Sequence, residues 1–271
     1  MLTEATREQL MKLTKYDRIM VSLYRMLYAG HSAANFPEEK LFDQDDVREA
    51  MRRAVDAGWI EKSVANVPDI KYSYDARREL PPECEQCGPL TWLQNGKGSY
   101  KFRRTRRKNV IDLPNDLPFD APEIQLEIDQ TPPFVASLLG NDEQAVFTRV
   151  RNSGLISKFL GFSAWPIQGH HRTTVGYGQI EVDEVQAGLD GQKRVIVPIS
   201  GKGGQDKLSW SQALNLNTYG VEKPLVAGLT VRSLGLWRDN ENTIWMIEFT
   251  PETDIDDIEF AQVKRFKLLL Q

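Results

Sequence analysis

Two short runs in this chain carry residues whose types and spacing can do chemistry: Glu181-Val182-Asp183-Glu184 and, after a turn, Ser200-Gly201-Lys202-Gly203-Gly204. On a strand, Glu181 and Asp183 share one face, while Ile180, Val182 and Val185 lie among apolar neighbours. Leu189-Asp190-Gly191-Gln192 has the composition of a turn. Arg194-Val195-Ile196-Val197-Pro198-Ile199 is a β-rich run that delivers Ser200 and Lys202, again two apart. Carboxylates hold a divalent metal, and a nearby ammonium stabilises developing negative charge or orients a water. That is equipment for metal-assisted phosphodiester hydrolysis. The plainer reading of the same residues is a solvated hairpin with a charged end. Against it, Lys202 closes a strand apolar enough to be buried, and Gly203-Gly204 permits a sharp exit into a helix. Such a turn at a helix start can bind phosphate through backbone amides, but it lacks the spacing of a Walker loop or a dinucleotide fingerprint, which excludes both.

The elements that must position these residues follow from periodicity and punctuation. Residues 3–13 read as a short helix, and residues 17–28 as a stronger one with Ile19, Leu23, Met26 and Leu27 on one stripe. Asp43 with Asp46 and Glu49 marks another helix start, and Val47, Met51 and Ala54 line its apolar side up to Gly58. From Trp59-Ile60 the chain reads as extended. Runs 90–93 and 99–103 flank Asn95-Gly96-Lys97-Gly98, a β-hairpin signal. Helices, a helix of recognition length, then a hairpin is the order of a winged helix-turn-helix; a small α+β packing domain without DNA contact is the alternative. The hairpin leads into the densest basic cluster, Lys101, Arg103, Arg104, Arg106, Arg107 and Lys108, placed to neutralise phosphates. Arg48, Arg52 and Arg53 on the preceding helix are the candidate groove readers.

Residues 111–133 hold five of the 14 prolines and mark the best domain boundary. The chain therefore divides into a winged-helix-like domain at 1–110, a linker at 111–133 and a second domain at 134–271. In the latter, Asn141-Asp142-Glu143-Gln144 caps a helix with Ala145, Val146, Val150 and Leu155 on its apolar face. Residues 159–165 are apolar. From Pro166 a polar segment carries Gln168, His170, His171 and Arg172, side chains able to pair with purine edges, although His171 reads equally well as a structural histidine. Residues 208–216 read as helix, and 225–231, 243–249 and 263–270 as strands. Helices and strands in this order make an α/β domain around a mixed sheet.

Composition sets weaker bounds. The 271 residues suffice for one large or two modest domains. The net charge of −4 gives no global sign of nucleic-acid binding, but the first 110 residues are net basic and the remainder net acidic. No apolar run reaches membrane-spanning length and the first residues read as a polar helix rather than a signal peptide, so a soluble, cytoplasmic protein without membrane contact is expected. Cys84 and Cys87 form a lone C-x-x-C with His31, His170 and His171 far away in sequence. Inert thiols are expected there, not zinc.

The segments Asp142-Glu143-Gln144-Ala145, Arg149-Val150-Arg151-Asn152, Gly178-Gln179-Ile180-Glu181-Val182-Asp183-Glu184 and Lys202-Gly203-Gly204-Gln205-Asp206-Lys207-Leu208 resemble the restriction-endonuclease-like PD-(D/E)xK superfamily, as does the segment 168–175. More narrowly, the chain is similar to Type II restriction-endonuclease-type proteins with an N-terminal winged-helix-like region, and Gly96-Lys97-Gly98-Ser99-Tyr100-Lys101-Phe102 extends the likeness into the hairpin. The resemblance implies a mixed central sheet flanked by helices and a Mg2+-dependent enzyme, with Mn2+ able to substitute. It implies cleavage of double-stranded DNA at a specific sequence by a homodimer. Asp183 would bind the metal, with the Gly201 carbonyl and Glu143 completing the shell. Lys202 would support the attacking water, and Gln212 would be a supporting residue. Ser200 departs from the pattern, because the position two before the lysine is normally an acid and a hydroxyl is a poor ligand for magnesium. Glu181 or Glu184 would then complete the site, or one metal on Asp183 and Glu143 would suffice, or the chain would be a non-cleaving DNA-binding protein with a decayed centre.

Overall fold

The computed structural model describes residues 10–140, 142–223 and 228–269. The chain divides into two compact units, Met1–Asn109 and Val110–Gln271.

In the first unit, helix α1 (Lys15–Leu27) is followed by strand β1 (Glu39–Asp43), helices α2 (Gln44–Asp56) and α3 (Val67–Ala76), a short 3-10 turn (Pro82–Glu85), and the hairpin of β2 (Leu90–Gln94) and β3 (Ser99–Arg104). The three strands form an antiparallel sheet in the order β1-β3-β2. Thr14 and Asp43 close reciprocal capping boxes with Asp17 and Asp46, which satisfy the first amide donors of α1 and α2. Ile19, Leu23, Val47, Met51, Ile70, Trp92 and Phe102 meet in one core. The stretch expected to be extended after Trp59 instead contains α3. Pro68 opens that helix, Asn66 gives no side-chain cap, and Val67, Ile70 and Tyr74 are the large apolar side chains it buries.

In the second unit, β4 (Ile124–Ile128) and a short turn of helix, α4 (Pro133–Ala136), precede helices α5 (Glu143–Asn152) and α6 (Leu155–Leu160). Then come strands β5 (Ala164–Val175), β6 (Gly178–Asp190) and β7 (Lys193–Gly203), helix α7 (Trp210–Glu222), and strands β8 (Thr230–Val231), β9 (Leu234–Arg238), β10 (Thr243–Phe249) and β11 (Phe260–Leu269). They build an eight-stranded sheet in the order β4-β11-β10-β9-β7-β6-β5, with β8 beside β7. The β7–β9, β7–β8 and β4–β11 pairs are parallel and the rest antiparallel, so the sheet is mixed. Helix α7 is the crossover that the parallel β7–β9 pair requires. Side chains of α5 and α6 pack on one side against Val197, Ile199, Leu234 and Leu236, while Leu216 and Tyr219 of α7 pack against Ile180, Val182, Val185 and Ile196. The second domain is thus an α/β arrangement with helices on both faces of a mixed sheet.

The segment expected as a linker carries β4, whose five residues extend the sheet beside β11. The helix capped by Asp142 stops earlier than its apolar period suggests, because Gly154 takes a left-handed conformation and restarts the chain as α6. Residues 3–9 of the expected helix 3–13 and 225–227 of the expected strand 225–231 lie outside the described residues, as do Asn141 and position 270; within 228–231 the strand is the short β8.

Candidate metal and phosphate site

Strands β5, β6 and β7 position the candidate residues. Hairpin β6–β7 turns through Gly191-Gln192, with Gly191 at φ +60°, and its strands pair from Asp190↔Lys193 up to Glu184↔Ile199. Pairing stops there. Below Glu184, β6 stays with β5, while β7 from Ile199 to Gly203 runs beside β9. Asp183 lies at the point of divergence. Its Oδ2 accepts the Gly201 amide N–H at 2.8 Å and the Ser200 hydroxyl at 3.0 Å. The carboxylate therefore closes the gap that the separating strands leave, and the two donors fix its orientation. Gly201 meets the carboxylate through its N–H. A side chain there is excluded, since a Cβ would stand 2.4 Å from Cε2 of Phe147 on α5.

The alternation along β6 slips at this point. Ile180 and Val182 pack toward α7, and so does Val185, three residues on instead of two. Glu181 and Asp183 nonetheless bring carboxylate oxygens to within 4.8 Å of one another. Across the β5–β6 ladder, His171 opposes Val182 and Arg172 opposes Glu181, so His170 stands opposite Asp183. The ligand atoms of His170, Glu181 and Asp183 all lie within 4.8 Å of one another. Arg172 Nε lies 3.1 Å from one Glu181 carboxylate oxygen and His170 Nδ1 lies 3.6 Å from the other. His170 has φ +45°, a left-handed conformation that a non-glycine residue seldom adopts.

Ser200 and Lys202 leave β7 on the same side, two residues apart. Lys202 is only 7% exposed and has no hydrogen-bond or ion-pair partner among the described residues. Burying a lysine costs free energy unless its charge is compensated. Glu184 is turned the other way. It opposes Ile199, is held by the Gln186 amide and stands 3.6 Å from Arg151, so it does not join Asp183. Burial pushes its carboxyl above the usual glutamate range, against the pull of Gln186 and Arg151. Glu143 begins α5, half-buried, with Phe147 and Arg151 one and two turns further along the same stripe. Phe147 touches Gly201 and Arg151 approaches Glu184, so the stripe that Glu143 starts runs along this part of the sheet.

Other sequence-predicted residues take different roles. Gln212 is engaged in the capping box of α7 with Ser209. The His171 ring packs edge-on against Tyr219 and meets the exposed Gln168 at 2.6 Å. In the first unit Arg48 pairs with Asp45, Arg52 with Glu49 and Asp56, and Arg53 with Glu49. These arginines are tied along their own helix. Lys101 pairs with Glu39 and Lys108 with Glu85. Arg103, Arg106 and Arg107 also have partners, and Arg104 lies half-buried near Gly88. His170 as a neighbour of the carboxylates was beyond sequence reasoning. Its approach depends on the β5 register, which shifts between Pro166 and Gln168.

Cys84 is buried in the first unit's core and Cys87 is half-buried, both as free thiols. No described helix is long and apolar enough to cross a membrane. Comparison of the chain with protein-family models, curated proteins and solved structures finds no match.

Proposed function

We propose that the chain is a divalent-metal-dependent endonuclease of the restriction-endonuclease-like type, acting on double-stranded DNA at a specific sequence as a homodimer. The observation that carries this reading is the conjunction at the divergence of β6 and β7. Asp183 is fixed there by Gly201 and Ser200, and Lys202, buried and without a partner among the described residues, leaves β7 on the side of Ser200. The order of elements supports it. Helix α5, three antiparallel strands, the α7 crossover and parallel β9 give the helix–three strands–helix–strand succession of that superfamily, with the aspartate on the second strand and the lysine on the third.

Two carboxylates and an imidazole nitrogen within one ligand sphere suit a divalent cation. Such a cation, Mg2+ by the resemblance, supplies Lewis acidity at a phosphate oxygen. The chain's own residues do the rest. Ser200 and Gly201 hold Asp183 in one orientation, Arg172 holds Glu181, and the Lys202 ammonium stabilises charge developing on the phosphate or orients the attacking water. In the first unit, one helix after β1, a second helix, and a hairpin on a β1-β3-β2 sheet follow the winged-helix order. The groove-reading element then becomes α3, the second helix of the pair. Its exposed Tyr72 carries the Arg77 guanidinium 5.4 Å over its ring.

The test is relaxation of supercoiled plasmid with Mg2+ or Mn2+. Asp183→Ala and Lys202→Ala should each cut at least about a hundredfold more slowly than the wild type. Equal nicking by all three removes the site. Sequencing the cut ends then reveals whether a fixed motif is recognised.

A second reading, a DNA-binding protein that does not cleave, draws on Ser200. It occupies a position the superfamily gives to an acid, and its hydroxyl is engaged by Asp183. Gain of metal-dependent cutting by an inert wild type on Ser200→Glu would favour that reading. Loss of existing cutting would favour a serine-adapted enzyme.

A further inference from the structure

We infer that His170, Glu181 and Asp183 form a three-ligand site for a first-row transition-metal dication, selective against Mg2+ and Ca2+, with His170 as the selecting ligand. The inference deepens the nuclease reading, with which it shares Asp183, by naming the cation and a ligand that the superfamily pattern does not provide.

Three observations carry it. The first is geometric: one imidazole nitrogen and two carboxylate oxygens converge to within 4.8 Å of one another from adjacent strands. Hard, oxygen-seeking Mg2+ and Ca2+ gain little from an imidazole, whereas Mn2+, Co2+ and Zn2+ accept it readily. The second concerns Ser200. Its hydroxyl donates to Asp183, so the position expected to furnish a second acid furnishes an orienting hydrogen bond instead. Glu181 and His170 stand where that deficit can be made up, and Arg172 on Glu181 is the outer partner that ligating carboxylates usually have. The third is Lys202, 7% exposed and without a partner among the described residues, on the same side of β7 as Ser200. A buried ammonium with no counter-charge among the described residues, two residues beyond the serine that holds Asp183, suits receipt of an anion, and a cation held by three ligands keeps coordination positions open for it. The site would take a phosphate oxygen or a water in those positions.

Calorimetric titration of the chelator-treated full chain with MnCl2 and with MgCl2 tests this directly. The wild type should bind Mn2+ on the order of tenfold more tightly than Mg2+, and His170→Asn should lose most of that difference while Mg2+ binding stays nearly constant. Asn is chosen because it tolerates the left-handed backbone at this position. Asp183→Asn should abolish binding of both ions. Equal affinity of the wild type for the two ions, or unchanged Mn2+ binding by His170→Asn, overturns the inference. If His170→Asn melts early, Mn2+ broadening of the His170 ring resonances in the wild type, with those of His31 unaffected, gives the same answer; absence of that broadening overturns it. Plasmid cleavage run in parallel separates the two claims. Cutting with Mg2+ that ignores His170 sinks the metal assignment and leaves the nuclease reading standing. Mn2+ held through His170 without cutting by any metal supports the site and sinks the nuclease.

Discussion

At the scale of single residues, the site is held by what its neighbours forbid. Gly201 has no room for a Cβ, because Phe147 occupies the space from 2.4 Å outward. Gly204 has open space around it but sits at φ +63°, where an L-residue is strained. The two glycines therefore make separable predictions. Gly201→Ala must displace an aromatic ring of the core and should cost about 1–3 kcal/mol. It should also shift the amide that Asp183 receives, weakening metal binding. Gly204→Ala carries only the backbone strain, about 1 kcal/mol, and should leave metal binding alone. Urea denaturation and Mn2+ titration of both variants check the pair, and equal metal affinity would show that Gly201 does not position Asp183. The two cysteines make a similar contrast. Burial first, then the neighbouring carboxylates Glu83 and Glu85, push the Cys84 thiol well above its ordinary range, so it stays protonated and shielded. Cys87 is partly open. Ellman's reagent at pH 7 should label one thiol quickly, that one should vanish in Cys87→Ser, and the second should react only on unfolding.

At the scale of elements, helix starts and tight turns were legible because their signals are local. Asp43 accepts from the amides of Asp45 and Asp46, and Asp46 accepts in return from the Asp43 amide, the arrangement their spacing predicts. Asp43→Ala should cost α2 about 1 kcal/mol, read as a lower denaturation midpoint with an unchanged slope. The strands that carry Asp183, Ser200 and Lys202 were legible for the same reason, since β-rich runs on either side of a glycine turn mark a hairpin. What escaped depends on partners far along the chain. Helix α3 lacks a side-chain cap and carries polar residues through its short apolar stripe, so packing, not propensity, makes it a helix. Strand β5 is polar and exposed over most of its length and shows no alternation to read. With β5 unseen, its register could not place His170 opposite Asp183. Strand β9 is five residues long with Gly235 inside it, where Leu208 and Phe249 crowd the backbone. The arginines of α2 lie exposed, as their positions suggest, and acidic residues three and four positions away pair with them, an arrangement worth only a few tenths of a kcal/mol per pair and common on solvated helices.

At the scale of the whole molecule, each unit owns a complete core. The first draws its buried apolar residues from positions between Leu10 and Phe102, and the second from positions between Val146 and Phe266. His170, Glu181, Asp183, Ser200 and Lys202 all belong to the second unit. A core truncation in the first should therefore weaken that unit without touching the proposed metal site. Ile70 is fully buried, and Ile70→Ala should remove about 2–5 kcal/mol from the first unit through lost burial and the cavity left behind. Two cooperative units also make a single unfolding free energy ill defined, so scanning calorimetry is the appropriate measurement. One of two transitions should move down in temperature while the other, identified by its upward shift on adding Mn2+, stays in place. The fragment 110–271 should show that second transition alone and bind Mn2+ as the full chain does. If Ile70→Ala lowers both transitions together, or the fragment fails to fold, the two cores act as one cooperative structure and the metal site depends on the first unit for its stability.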